Sequence, residues 1–158
     1  RKDDGLERKR SNDLALFWGS RYKVKSFNAD MIGEYLRRHD IKFLRGRDGE
    51  CIVLFQIDPR LPGECLHIVL HASQQIYVML ALLPAAILPR NRSPVEVANN
   101  WNVEKRWPRA YYSNDHGLIL DWQLDFTPGI CQALVDHFTS IFLAGVALCA
   151  QELYNASR

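Results

Sequence analysis

Hydrophobic and polar positions alternate most cleanly in the last third of the chain. Leu118, Leu120, Trp122, Leu124 and Phe126 point one way, and Asp121, Gln123 and Asp125 the other, with Ile119 the exception. A period of two of this kind predicts a half-buried antiparallel strand. Asn114-Asp115-His116-Gly117 supplies turn chemistry ahead of it, so Arg109 to Ser113 reads as the other strand of a hairpin. Upstream, Ser93 and Glu96 form a capping box and Pro94 takes the first helical position, where its missing N–H costs nothing. Val97, Ala98 and Trp101 then recur at helical spacing. Pro108 ends that helix, because the residue before a proline is driven out of the helical region.

The rest of the chain falls into similar units. Asn28 is a natural N-cap, with Phe27 and Ile32 placed as a hydrophobic staple. Met31, Ile32, Tyr35 and Leu36 give the helix a buried stripe, and it ends near His39. Four strand candidates follow: Ile41 to Leu44, Cys51 to Phe55, Cys65 to His71 and Gln75 to Leu83, the first two flanking a loop from Gly46 to Gly49. The last, QIYVMLALL, is apolar on both faces, so it is central and covered twice or its second face meets another chain. Thr127 caps and Pro128 begins a long C-terminal helix to about Leu153, with Ile130, Leu134, Phe138, Ile141, Gly145 and Cys149 as its core stripe. Leu143, Ala144, Ala147, Ala150 and Tyr154 make a second apolar face behind it. Residues 1–26 form an N-terminal extension, in which Asn12-Asp13 caps a short helix bearing Leu14, Phe17 and Trp18. Residues 27–158 form a single domain. The class is α+β: an antiparallel sheet of about five strands with helices packed on it, in the order α-β-β-β-α-β-β-α.

Composition narrows the function classes. The 158 residues are 47% hydrophobic, enough for one domain with a sizeable core. A net charge of +2, from 20 basic and 18 acidic side chains, is too balanced to imply a nucleic-acid or membrane partner. No apolar run approaches the ~18 residues of a bilayer span. The chain starts at Arg1 rather than Met, which leaves room for a removed leader. Cys51, Cys65, Cys131 and Cys149 lack any metal or redox spacing and lie in apolar runs, as structural thiols do. That suits a reducing compartment, the cytoplasm.

Candidate chemistry is thin. His67 and His71 are four apart on a strand, hence ~13 Å from each other along the chain, too far for one metal ion. Asp121 and Asp125 have the same ~13 Å spacing, beyond the ~5–9.5 Å of paired catalytic carboxylates, and read as a solvent-facing rim. Ser113, Asp115 and His116 share a turn, but no nucleophile elbow accompanies them. Gly46-Arg47-Asp48-Gly49 lacks phosphate-loop spacing. Lys105-Arg106-Trp107-Pro108-Arg109 mixes cations with an aromatic ring that could stack a base. The alternative is a helix C-terminus drawing cations to its dipole. Asn99 and Asn102 read as ties from helix to neighbouring backbone. No enzyme, metal or cofactor is expected.

Asn99-Asn100-Trp101-Asn102, the step Arg106-Trp107-Pro108-Arg109-Ala110-Tyr111, and the strand Leu118 to Phe126 before a long helix resemble the YbjN family, described as bacterial sensory-transduction regulators. The helix ending Tyr35-Leu36-Arg37-Arg38 and the Ile41-Lys42-Phe43 segment fit as well, so the resemblance runs from about Phe27. It implies a fold like that of type III secretion chaperones, a homodimer, and a non-enzymatic binding or regulatory module that takes extended segments of client proteins. The alternative function is a small-molecule sensor using a pocket on the sheet. Candidate binding residues are Trp101, Arg106 and Trp107, and candidate interface residues are Leu143, Ala147 and Tyr154.

Overall fold

Asn28 opens the first helix. In the computed structural model, which describes residues 23–57 and 65–157, its side chain accepts from the Asp30 and Met31 N–H groups at 3.0 and 3.3 Å. Helix α1, Ala29–Arg38, buries Met31, Ile32, Tyr35 and Leu36, and carries Asp30 in its first turn and Arg37 and Arg38 in its last. Both charge placements favour the helix dipole. The short helix expected around Leu14 to Trp18 lies outside the described residues.

Six strands follow: β1 (Leu44–Arg45), β2 (Cys51–Gln56), β3 (Cys65–Ser73), β4 (Ile76–Leu83), β5 (Arg109–Ser113) and β6 (Gly117–Asp125). They form one sheet ordered β1-β2-β3-β4-β6-β5, antiparallel throughout. The count exceeds five because all four segments before the central helix pair. The order is therefore α-β-β-β-β-α-β-β-α, with one turn of 3-10 helix, Ala85–Ile87, after β4. β1 is shorter and later than the Ile41 to Leu44 expectation, because the Ile41 N–H is still bonded to Leu36 C=O as the chain leaves α1. β4 lies inside the sheet, between β3 and β6, but is covered fully on one face only. Its Tyr77, Met79, Ala81 and Leu83 are buried, while Val78, Leu80 and Leu82 on the other face are half-buried.

Helix α2 spans Pro94–Glu104, with the Ser93 hydroxyl accepting from the Glu96 N–H at 3.1 Å. Helix α3 spans Gln132–Ala156 and does not start at Thr127-Pro128. The Thr127 N–H is instead taken by the Asp125 carboxylate at 2.8 Å. Ile130 bridges to Lys25 through two backbone hydrogen bonds of 2.9 and 3.0 Å. The later start rotates the stripe. Val135, Thr139, Phe142, Val146, Cys149 and Leu153 are buried, whereas Leu134 is 46% exposed. Ile130 belongs to the bridge, so counting from it shifts the phase by one residue, about 100° on a helix.

By length and composition α3 is also apolar enough to cross a membrane, with a mean hydropathy of 1.7 over its most apolar window. This corrects the expectation that nothing approaches a span. Scattered Thr, Ser and Gly interrupt the apolar run without adding charge. Here the helix lies on the sheet: the Tyr77 hydroxyl meets Thr139 Oγ1 at 2.8 Å, and Gln132 Nε2 donates to Met31 C=O of α1 at 2.7 Å.

The corrected stripe has a direct check. Phe142→Ala should cost about 3–5 kcal/mol in denaturant unfolding, as a fully buried aromatic does. Leu134→Ala should change stability by about 0.5 kcal/mol or less, as exposed sites do. The reverse ranking would show that α3 sits in the phase counted from Ile130.

Candidate functional site

The segment from α2 to β5 is held by side chains reaching backbone. Trp101 is 6% exposed and donates Nε1–H to Pro108 C=O at 2.7 Å. Asn102 accepts from the Ala110 N–H and donates to its C=O, both at 2.8 Å, engaging the edge strand as another strand would. Asn102 is thus the tie expected of it, and Trp101 is a core clamp with its ring turned from solvent. Lys105 Nζ lies 5.7 Å from the Trp101 ring centroid and 3.4 Å from Glu152 of α3. Arg106 is exposed. Trp107 is 53% exposed on one side and stacks on Trp122 on the other, with centroids 5.4 Å apart and planes 19° from parallel. Trp122 in turn meets Phe138 edge-on at 5.6 Å. Gly145 of α3 lets this segment in, since a Cβ there would lie 2.5 Å from Pro108 Cδ.

Asp121 is not on a solvent-facing rim. It is 3% exposed and takes a two-pronged grip from Arg109, Nε to Oδ1 at 2.9 Å and Nη2 to Oδ2 at 2.8 Å. The two residues are directly opposed across β5 and β6. A carboxylate on a face shared with Ile119 needs such a partner, because an unpaired buried charge costs several kcal/mol. The pair holds the Arg109 guanidinium above its usual pKa, and burial followed by the Asp121 charge raises that of Tyr111. Asp125, by contrast, is exposed, and its hydrogen bonds from Thr127 lower its pKa. A charge on an alternating strand signals the face it takes; it does not show that a cross-strand arginine will cover it.

All four cysteines are free, with Cys51, Cys131 and Cys149 buried and Cys65 half-buried. Burial pushes the Cys51 thiol up and that of Cys149 up to about 12. Among the described residues no three His, Cys, Asp or Glu side chains gather as a metal site.

Several concavities lie among the described residues, and two of them bear on the candidate functions. One, of about 330 Å³, opens between the C-terminal half of α3 and the ends of β2 and β3. Phe55, Ile57, Leu66 and Ile68 line one wall, and Leu143, Val146, Ala147, Ala150, Gln151 and Tyr154 the other. The expected interface residues Leu143, Ala147 and Tyr154 are therefore brought together as one wall of a groove. Spacing along one helix could not show the opposite wall, although the apolar Phe55 and Ile57 at the end of β2 were its signal. The other, of about 550 Å³, joins Cys65, His67, Tyr112 and His116 to an apolar floor that includes Leu82, Leu83 and Leu88. Arg106 and Trp107 line neither.

The model of the YbjN family, described as "Putative bacterial sensory transduction regulator", matches residues 28–154. The chain belongs to the YbjN family. A solved structure titled "Crystal structure of YbjN, a putative transcription regulator from E. coli" is similar over 82% of this chain and 93% of its own, with a TM-score of 0.60 and 12% identity. At that identity the likeness is one of fold. No curated protein matches the sequence. The YbjN model stops short of residues 1–27, in line with the resemblance read from about Phe27 onward.

Two outcomes test this geometry. Gly145→Ala should lower stability by up to about 2 kcal/mol, since overpacking against Pro108 costs about 1–3 kcal/mol and helix propensity returns only about 1. An unchanged melting temperature and tryptophan emission would show that Pro108 does not press on α3. In the native protein a thiol reagent should label Cys65 and leave Cys51, Cys131 and Cys149 unreacted until unfolding. Rapid labelling of Cys149 in the folded state would contradict its burial.

Proposed function

We propose that this YbjN member is a non-enzymatic binding module that holds polypeptide, in the regulatory role its family description names. The observation that supports it is the groove of about 330 Å³, whose lining is apolar except for Gln151 and the Tyr154 hydroxyl. Apolar side chains of a polypeptide fit such a surface, whereas a polar metabolite requires several convergent hydrogen-bonding groups. The half-buried Leu143 and exposed Ala147 form the rim, and small residues there let a backbone approach closely. Four free thiols suit a reducing compartment, and the cytoplasm is the location we propose. A second copy of the chain is the competing occupant, because Leu143, Ala147 and Tyr154 are also the residues expected to join a homodimer.

A small-molecule sensor is the second reading. It is favoured by the cleft where His67, Tyr112 and His116 offer polar groups above Leu82 and Leu83. Stabilisation by a metabolite but not by polypeptide would select it.

The test uses a permanently unfolded probe, reduced and carboxymethylated α-lactalbumin, followed by fluorescence anisotropy and by light scattering. The parent should bind the probe, and Leu143→Glu should weaken binding about tenfold, equivalent to about 1.4 kcal/mol, at unchanged oligomeric mass. A mass halved by Leu143→Glu would give the groove to a second copy. No binding by the parent would end the polypeptide reading.

A further inference from the structure

The described helices all serve one face of the sheet. Tyr77 of β4 meets α3, Gln132 of α3 ties to α1, and α2 buries Val97, Ala98 and Trp101 in the same core. Side chains of the other face alternate with those of that core. Ile52, Val69 and Leu80 sit in one cross-strand row with Asp121. Leu54, Leu82, Ile119 and Tyr111 sit in the next, interrupted by His67. An apolar sheet face of this kind requires a second layer. Its margins are open, with Leu54 48%, Ile76 38% and Tyr111 39% exposed. Its centre is not. Ile119 is 5% and Asp121 3% exposed within a single chain, although Ile119 lies outside the main core and no described helix covers it.

We propose that this outer face is the docking surface of the chain's own N-terminal segment, Leu14 to Tyr22, which packs Leu14, Phe17 and Trp18 onto Leu80, Leu82 and Ile119. Place and length select this occupant. The described chain begins at Lys23, close to the Lys25–Ile130 bridge, and Phe27 is bound to Gln75 in the turn that opens β4. Entry is therefore at the Ile76 end of the face. As a helix, Leu14 to Tyr22 spans about 13 Å, and four residues along a strand, as from Ile76 to Leu80, also span about 13 Å. Composition selects it too. Residues 58–64, also outside the described ones, read DPRLPGE, with Leu61 as their large aliphatic side chain, and link the paired residues Gln56 and Cys65. The N-terminal segment instead offers Leu14-Ala15-Leu16-Phe17-Trp18. It lies outside the family match at 28–154, as an addition to a domain whose described helices share the opposite face. A second copy is disfavoured, because Ile119 and Asp121 are already covered within one chain.

Two measurements on the full chain test it. In an Ile119→Cys variant the introduced thiol should react slowly, and adding Phe17→Ser and Trp18→Ser should speed its labelling about tenfold or more. Native Cys51, buried beneath the helices on the opposite face, should stay unreacted in both, which reports that the fold is intact. An unchanged labelling rate would show that the segment is not the cover. Benzoylphenylalanine, a photo-crosslinker placed at Trp18, gives a second reading that holds even where the serine variant unfolds. It should join position 18 to peptides of β4 or β6 at the mass of a single chain. Crosslinks to α3, or none, would overturn the proposal. Crosslinks at the mass of two chains would assign the face to a second copy. The groove lies on the opposite side of the sheet, so the polypeptide reading stands or falls separately.

Discussion

One buried hydrogen bond fixes how the long helix sits on the sheet. The Tyr77 hydroxyl, on a residue with no solvent exposure, lies 2.8 Å from Thr139 Oγ1, and that hydroxyl donates to Val135 C=O at 2.7 Å. Net, such bonds contribute about 1 kcal/mol each, but an orphaned buried hydroxyl costs about 1–3 kcal/mol, so other placements of α3 are penalised. The surrounding rings reinforce the choice. Phe27 lies 5.0 Å from Tyr77 and meets Phe126 edge-on at 5.1 Å, and Phe126 lies 5.9 Å from Phe138 of α3. Burial holds the Tyr77 phenol protonated, its pKa raised well above that of a free tyrosine.

With α3 placed in this way, two of its faces acquire different work. Near its middle, Gly145 accepts Pro108 and Trp107, which lets Trp107 lie on Trp122 and closes the sheet beside β6. On another face, Leu143, Ala147 and Tyr154 stand opposite Phe55, Ile57 and Leu66 across the groove. A rotation of one residue would bury Leu134 and remove both features. The edges of the sheet are treated unequally. Asn102 engages the outer strand β5 through Ala110, while β2 runs on past the end of β1.

The turn between β3 and β4 shows how local chemistry and tertiary contact meet. Gln74 and Gln75 have φ of 48° and 70°, the left-handed pair that a two-residue hairpin turn demands and that non-glycine residues adopt at a cost. Gln75 offsets that cost. Its side chain accepts from the Phe27 N–H at 2.9 Å and donates to Phe27 C=O at 3.1 Å, and its own C=O accepts from the Phe126 N–H at 2.8 Å. The segment before α1 and the end of β6 are thereby joined at one residue.

Local signals in the sequence determined the helix starts at Asn28 and Ser93, the Arg109–Ser113 strand, the hairpin turn before β6 and the α+β class. Each rests on a cap, a turn residue or a period that acts over a few neighbours. The start of α3 was hidden because Thr127-Pro128 carries a valid helix-opening signal, and only the pairing of Ile130 with Lys25, distant in sequence, overrides it. The burial of Asp121 depended on an arginine twelve residues away across a strand pair. The groove has walls from β2, β3 and α3, so periodicity along any one element reveals a face and never the space between two. Tertiary structure decided these points, because burial and pairing of distant residues outweigh a local preference worth about 1 kcal/mol.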